Sequence, residues 1–193
     1  MRLHKDSIDR WFDNDFHLET RTLFISDQED GAGVGPQMAE KVIKGIHLLV
    51  AHDKEKPIRI LMNSMGGTWT DGMAIYDAIA SCPCQVTIEA FGSCMSMATV
   101  LLQAADDRVL HSNTTFMIHN GSDGFEGDSK NFERWGEHSK KLRHRMYEIY
   151  AEASEKRVSF WEKKCHTDFI ISAQEAVELG LADRVVGEGE PHE

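Results

Sequence analysis

The chain has no excess of positive charge: 21 lysines and arginines stand against 32 aspartates and glutamates, a formal net charge of −11. A phosphate-backbone partner rewards a basic stripe, so nucleic acid is excluded as a ligand class on electrostatic grounds. The one local basic run, Lys140 to Arg145, is flanked by Glu133, Glu137, Glu148 and Glu152 on the same expected helix and reads as a solvated or intersubunit charged face. No uninterrupted apolar run is long enough to span a bilayer, and the polar start (Met1, Arg2, Leu3, His4, Lys5, Asp6) lacks the apolar centre of a secretory signal. A cytoplasmic protein with no membrane partner is therefore expected. Cys82, Cys84, Cys94 and Cys165 form no disulfide-like framework, and Cys82-Pro83-Cys84 is too tightly spaced for zinc patterns. Reduced thiols are expected. The ten histidines are scattered, so no metal site and no cofactor is expected. Internal repeats and low-complexity linkers are missing too, and 193 residues suit a single domain large enough to shelter a reactive site.

What is present is an alternation of strand-like and helix-like segments. Strands are expected at 22–26, 58–63, 85–90, 108–111 and 114–119, and helices at 37–51, 70–80 and 96–105, an α/β pattern. A glycine-bearing polar loop then leads into a long helix expected over about 131–159. Its apolar residues Trp135, Leu142, Met146, Ile149, Tyr150 and Ala153 recur at helical spacing, so one stripe needs a partner, either the core or another subunit. Ser172 and Glu175 have the spacing of a capping box and Gly180 suits a helix C-terminus, which places a short helix before a strand at 183–186. The tail 187–193 is polar.

Two of the strands run into glycine. The first, from Ile58, ends in Gly66-Gly67, where missing side chains let backbone N–H groups approach a reacting carbonyl oxygen. The second, from Val86, reaches Gly92 and then a helix opening at Ser96, where unpaired N–H groups favour a developing anion. A serine hydroxyl needs a base within hydrogen-bond reach to act as a nucleophile, and His119, ending the strand-like run from Thr114, is the candidate. An imidazole in that role needs its other nitrogen held by a carboxylate, for which Asp168 is the candidate. The N–H groups of Gly67 and Met97 would receive the oxyanion. Taken singly, Ser96 also reads as a helix N-cap, His119 as a hydrogen-bonded strand-end histidine and Asp168 as a helix or turn cap.

In combination, these stretches resemble the ClpP family of serine proteases from about Thr22 to Val186. The resemblance is carried by Asn63-Ser64-Met65-Gly66-Gly67, Gly72 to Asp77, Gly92 to Ala98, Phe116 to His119, and Asp168 to Ala173 followed by Glu175-Ala176 and Gly180-Leu181. It implies the ClpP/crotonase-type α/β fold with a protruding handle, here about 120–159. By position it places the nucleophile on Ser96, the base on His119, the acid on Asp168 and the oxyanion amides on Gly67 and Met97, with no metal or cofactor. It further implies a homo-oligomer of heptameric rings, stacked into a tetradecamer by the handles, that hydrolyses unfolded polypeptides or peptides inside a chamber. An AAA+ unfoldase partner is a further option, although the N-terminal segment 1–20, where the family docks its ATPase, matches poorly. Trp11, Phe12 and Phe16 in that segment read as packing on their own domain or docking to a neighbour.

The chain departs from the family pattern at Met65, where proline is usual before the glycine pair, a change that bears on loop stiffness. Ser93-Cys94-Met95 is bulkier than the usual small run, Asn120-Gly121 replaces Gln-Pro, and residues 30–36 form a glycine-rich insertion that reads as a flexible connection rather than a nucleotide loop. Methionines 65, 95 and 97 suggest an apolar specificity pocket. Three other readings remain: a catalytically silent ClpP-like assembly subunit, a crotonase-fold acyl-CoA enzyme using the same amides for an enolate, and a specialised phage-type protease.

Overall fold

The structure, a computed structural model, describes residues 15–27, 33–122, 124 and 128–187. Its elements are β1 (Phe16–His17), β2 (Thr22–Ser26), α1 (Pro36–His52), β3 (Ile58–Ser64), α2 (Trp69–Ala80), β4 (Val86–Met95), α3 (Met97–Leu102), β5 (Asp107–His111), β6 (Thr115–Ile118), α4 (Ser129–Ser154), α5 (Val158–Lys164), β7 (Phe169–Ile171), α6 (Ala173–Glu178) and β8 (Arg184–Val186). The eight strands form one sheet with the order β1-β2-β3-β4-β5-β8, and β6 branches off to join β4 to β7. Pairings are parallel except β1–β2 and β6–β7.

The sheet is held by alternation. Ile58, Ile60 and Met62 of β3 are buried while Arg59 between them is exposed, and Val86, Ile88 and Ala90 of β4 repeat the pattern. Against that face α1 presents Val42, Ile46 and Leu49, spaced by three and four residues, within one continuous core. Full burial of each such aliphatic side chain contributes about 1.5–3 kcal/mol. Pro36 opens α1, where its missing N–H costs nothing.

Two boundaries depart from expectation for identifiable reasons. β4 does not stop at residue 90: Gly92, at φ +55°, bends the strand, and Ser93 to Met95 leave β5 and pair with β6 instead. Asn63 Oδ1 accepts the Ser93 N–H at 3.0 Å across the bend. The long helix, expected to 159, ends at Ser154, because Glu155 takes the left-handed conformation at φ 56° and α5 starts anew at Val158. No glycine or proline marks that corner; it is fixed by Trp161, fully buried, whose Nε1–H donates to Ser154 Oγ at 2.9 Å. Short β7 also escaped the periodicity reading. The capping box of α6 is formed as expected, with Glu175 N–H donating to Ser172 Oγ and Ser172 N–H to Glu175 Oε2.

The apolar stripe of the long helix divides. Met146, Ile149 and Tyr150 are buried in the chain's own core, whereas Phe132 and Trp135 nearer its start are 59% and 51% exposed. Phe16 packs against the core, while Trp11, Phe12, residues 30–32 and residues 188–193 lie outside the described residues. The rest of the glycine-rich insertion is pinned rather than loose: Val34 is 1% exposed and forms a parallel bridge with Gly67. Among the described residues no helix is long and apolar enough to cross a membrane, and no three His, Cys, Asp or Glu side chains converge on a metal position.

Candidate active site

The glycine pair is set by hydrogen bonds on both sides. Ser64 Oγ donates to Asp27 Oδ1 at 2.6 Å, the Met65 N–H donates to Asp27 Oδ2 at 2.8 Å, and the Gly66 N–H donates to Ser64 Oγ at 3.0 Å. Proline at position 65 has no N–H to give. Met65 thus supplies a backbone bond to Asp27 in place of ring stiffness. On the other side, Val34 N–H donates to Gly66 O and Thr68 N–H to Val34 O, both at 2.8 Å. These are the two bonds of the parallel bridge, and they leave the Gly67 N–H outside the ladder.

Ser96 stands between β4 and α3 with φ 50° and ψ −121°, a conformation costly for a residue with a Cβ. Its backbone is over-determined: Ser96 N–H donates to Met117 O at 2.8 Å, and Thr99 N–H donates to Ser96 O at 3.0 Å. Ser96 occupies the N-cap position, yet its side chain makes no capping bond. Its Oγ lies 2.8 Å from His119 Nε2 instead, so the capping reading of Ser96 does not describe this hydroxyl. The helix itself opens one residue later than expected, at Met97.

The branch strand supplies the other two groups. β6 and β7 pair antiparallel with Ile118 opposite Phe169, and extending that register by one residue sets His119 opposite Asp168. His119 Nδ1 is 3.3 Å from Asp168 Oδ1, with the His119 side chain 29% and the Asp168 side chain 65% exposed. With the ring proton on Nδ1, the nitrogen nearer Asp168, Nε2 is the acceptor for the Ser96 hydroxyl.

Ser96 and His119 border a cleft of about 650 Å³. Gly67, Ser96, Met97 and His119 line it, and Trp69, Val100, Leu142 and Met146 give it apolar walls. Met97 is the methionine expected there that lines it; Met65 is 57% exposed and, with Met95, outside the lining. Leu142 and Met146 thus serve the cleft and core rather than an external face. Among the described lining residues the charged or chargeable side chains are His119 and Arg143, whose Nη1–H donates to Ser139 Oγ at 2.6 Å.

Four of the five sequence-selected residues, Gly67, Ser96, Met97 and His119, line this cleft, and Asp168 stands behind His119, outside the lining. Sequence reading missed the groups that hold them, Asp27, Ser64 and Val34. An acidic residue directly after the first strand was the available signal for Asp27; none pointed to Val34.

A strained hydroxyl, an imidazole and a carboxylate in series beside a glycine turn form the arrangement required of hydrolases that work through a side-chain hydroxyl. The chain belongs to the Clp protease family, whose model matches residues 9–189. The ATP-dependent Clp protease proteolytic subunit of Deinococcus radiodurans is 32% identical over 171 residues, covering 88% of this chain and 81% of that protein. The eight-stranded α/β architecture is the ClpP-type fold, and the function is of the Clp protease type.

Proposed function

We propose that this chain, folded as a single domain, is a serine endopeptidase in which Ser96 is the nucleophile, His119 the base and Asp168 the orienting acid. The observation that carries this reading is the alignment of Asp168, His119 and Ser96, an ion-pair contact of 3.3 Å followed by a hydrogen bond of 2.8 Å, ending on a hydroxyl that caps nothing. His119 Nε2 takes the Ser96 proton as Oγ bonds to the scissile carbonyl carbon, and the carbonyl π electrons move onto oxygen. The N–H groups of Gly67 and Met97 receive that oxyanion, each such donor being worth about 10²–10³ in rate. Collapse breaks the C–N bond while His119 protonates the departing amine. Water, deprotonated by the same imidazole, then hydrolyses the ester and restores Ser96. Neither metal nor cofactor enters these steps.

The substrate is an extended, unfolded polypeptide or peptide with an apolar residue beside the cut, in keeping with Trp69, Val100, Leu142 and Met146 on the cleft walls. Assembly into heptameric rings, stacked as a tetradecamer, is supported by the exposed apolar residues Phe132 and Trp135 on α4 and Ile170, 65% exposed, on β7. The Deinococcus radiodurans relative is named as an ATP-dependent protease subunit. An AAA+ unfoldase as an optional partner and a place in the cytoplasm belong to this proposal through the family resemblance alone.

The test is intact mass after treatment with a serine-directed fluorophosphonate, on native protein and Ser96→Ala at matched assembly state. One adduct per chain, lost in the variant, is the expected result. No adduct on well-formed rings would overturn the reading in favour of a silent assembly subunit, with acyl-CoA binding as the next measurement.

A further inference from the structure

The peptide unit between Ser96 and Met97 does two jobs at once. A trans peptide is rigid, and its C=O and N–H point in opposite directions. Whatever grips the Ser96 carbonyl therefore aims the Met97 amide. Three groups are involved in that grip. Thr99 N–H donates to Ser96 O at 3.0 Å, and Thr99 Oγ1 donates to the same oxygen at 2.6 Å. Thr99 Oγ1 is also 2.6 Å from the Tyr150 hydroxyl. A threonine hydroxyl has one hydrogen, already committed to the carbonyl, so the phenol must be the donor. The result is a directed chain, Tyr150 O–H to Thr99 O–H to Ser96 C=O, in which each bond polarises the next. Tyr150 and Thr99 are both 0% exposed, so no water competes for these positions.

The opposite end of the peptide unit faces the glycine turn. A Cβ placed on Gly66 would lie 2.8 Å from Met97 N, and Met97 lines the cleft together with Gly67 and Ser96. Turning the unit over would break both Thr99 bonds and swing a carbonyl oxygen toward the place where negative charge must be received. The φ of 50° at Ser96 gives this turn strain that local contacts have to hold. Tyr150 is anchored on α4 at the α5 corner: its carbonyl accepts from Ser154 Oγ at 2.5 Å, and its ring lies 5.6 Å from that of Trp161.

We propose that Tyr150 and Thr99 are positioning residues that lock the Ser96–Met97 peptide plane, so that one phenolic hydroxyl on α4 holds the Met97 N–H toward the cleft. This rests on the reading above in which that amide receives the oxyanion. Neither residue touches substrate; both act through the Ser96 carbonyl.

The test uses the full-length assembled protein and the variants Tyr150→Phe, Thr99→Val and Thr99→Ser. Thermal melting and sedimentation establish which variants fold and assemble. The readouts are the rate of fluorophosphonate adduct formation, kcat and KM on an apolar dipeptidyl-aminocoumarin, and affinity for a peptide boronate that forms a tetrahedral adduct. Loosening one oxyanion donor is expected to lower kcat and boronate affinity about 10-fold in Tyr150→Phe and Thr99→Val, short of the ~10²–10³ for losing it outright. KM should stay constant, and Thr99→Ser, which keeps the hydroxyl, should restore wild-type values. A Tyr150→Phe protein that assembles and matches wild type in kcat, labelling and boronate affinity would overturn the proposal while leaving the peptidase reading intact. Tyr150→Phe alone decides should Thr99→Val not fold. Wild-type protein that takes up no fluorophosphonate would overturn both.

Discussion

Replacing Gly66 with alanine adds one methyl group at the tightest point of the site. At φ +102° an L side chain meets its own carbonyl, a cost of about 1–2 kcal/mol. The added Cβ would also lie 2.7 Å from Ser96 Cβ and 2.8 Å from both Met95 O and Met97 N. Ordinary contact for such atoms is about 3.5 Å or more, so the loop must retreat by roughly 0.7–1 Å. Backbone rather than a flexible side-chain end stands in the way, and overpacking of this kind costs about 1–3 kcal/mol. A destabilisation of about 3 kcal/mol would lower the melting temperature by roughly 6–12 °C in a domain of this size, within a typical stability of about 5–15 kcal/mol. The catalytic effect should be larger than the stability effect suggests, because a ~1 Å displacement of a positioning group is worth about 10² in rate. The assay pairs a thermal melt with kcat/KM on a fluorogenic peptide. Gly136→Ala is the control: a Cβ there meets nothing within 4 Å, and in a helix it should stabilise slightly. A Gly66→Ala enzyme that melts and turns over like wild type would refute the reasoning, since the geometry leaves the methyl group nowhere to go.

Asp168→Asn should leave assembly and melting nearly unchanged, because that side chain is 65% exposed, while turnover falls by about 10⁴ through the wrong His119 tautomer. The double variant Phe132→Asp, Trp135→Asp should sediment as smaller species with an unaltered far-UV spectrum, because both residues are exposed in the single chain; unchanged sedimentation would remove them from the interface. At Asp183, burial raises the carboxyl's pKa, but hydrogen bonds from the Arg108 side chain and backbone outweigh it and hold the group below its ordinary 3.8. The sign follows: the pair stabilises the fold above that ordinary value, and the contribution is lost as pH falls through the lower folded one. Urea midpoints of wild type and Asp183→Asn should therefore converge on acidification below pH 3.8; a gap that stayed constant would contradict this.

Much of this was open to reading in one dimension because the signals are local. Buried–exposed alternation in β3, the three–four spacing of α1 and the reciprocal Ser172–Glu175 cap each need only a few neighbouring residues. So do the glycine turn at Gly66-Gly67 and the serine at a strand–helix junction, and five candidate site residues were nameable on that basis. The misreadings share a cause. Gly92 was taken as an end when it is a bend, because what continues β4 is a partner, β6, more than twenty residues away. The close of α4 at Ser154 depends on Trp161 filling the core behind it, which no local composition announces.

Residue order by itself determined most of the strand and helix segments, which chemical groups the chain carries, and the motifs that identify its family. Tertiary structure alone decided how those groups meet. The one-residue extension of the β6–β7 register brings Asp168 to His119, the bend in β4 delivers Ser96 to the same imidazole, and Asp27 and Val34 hold the glycine turn from opposite sides. Tyr150, fifty-one residues from Thr99, bonds the threonine hydroxyl that in turn grips the Ser96 carbonyl. The physical reason is range: periodicity and capping act over a turn or two of chain, whereas register, strained φ angles and buried hydroxyl chains exist only once distant backbones have packed and excluded water.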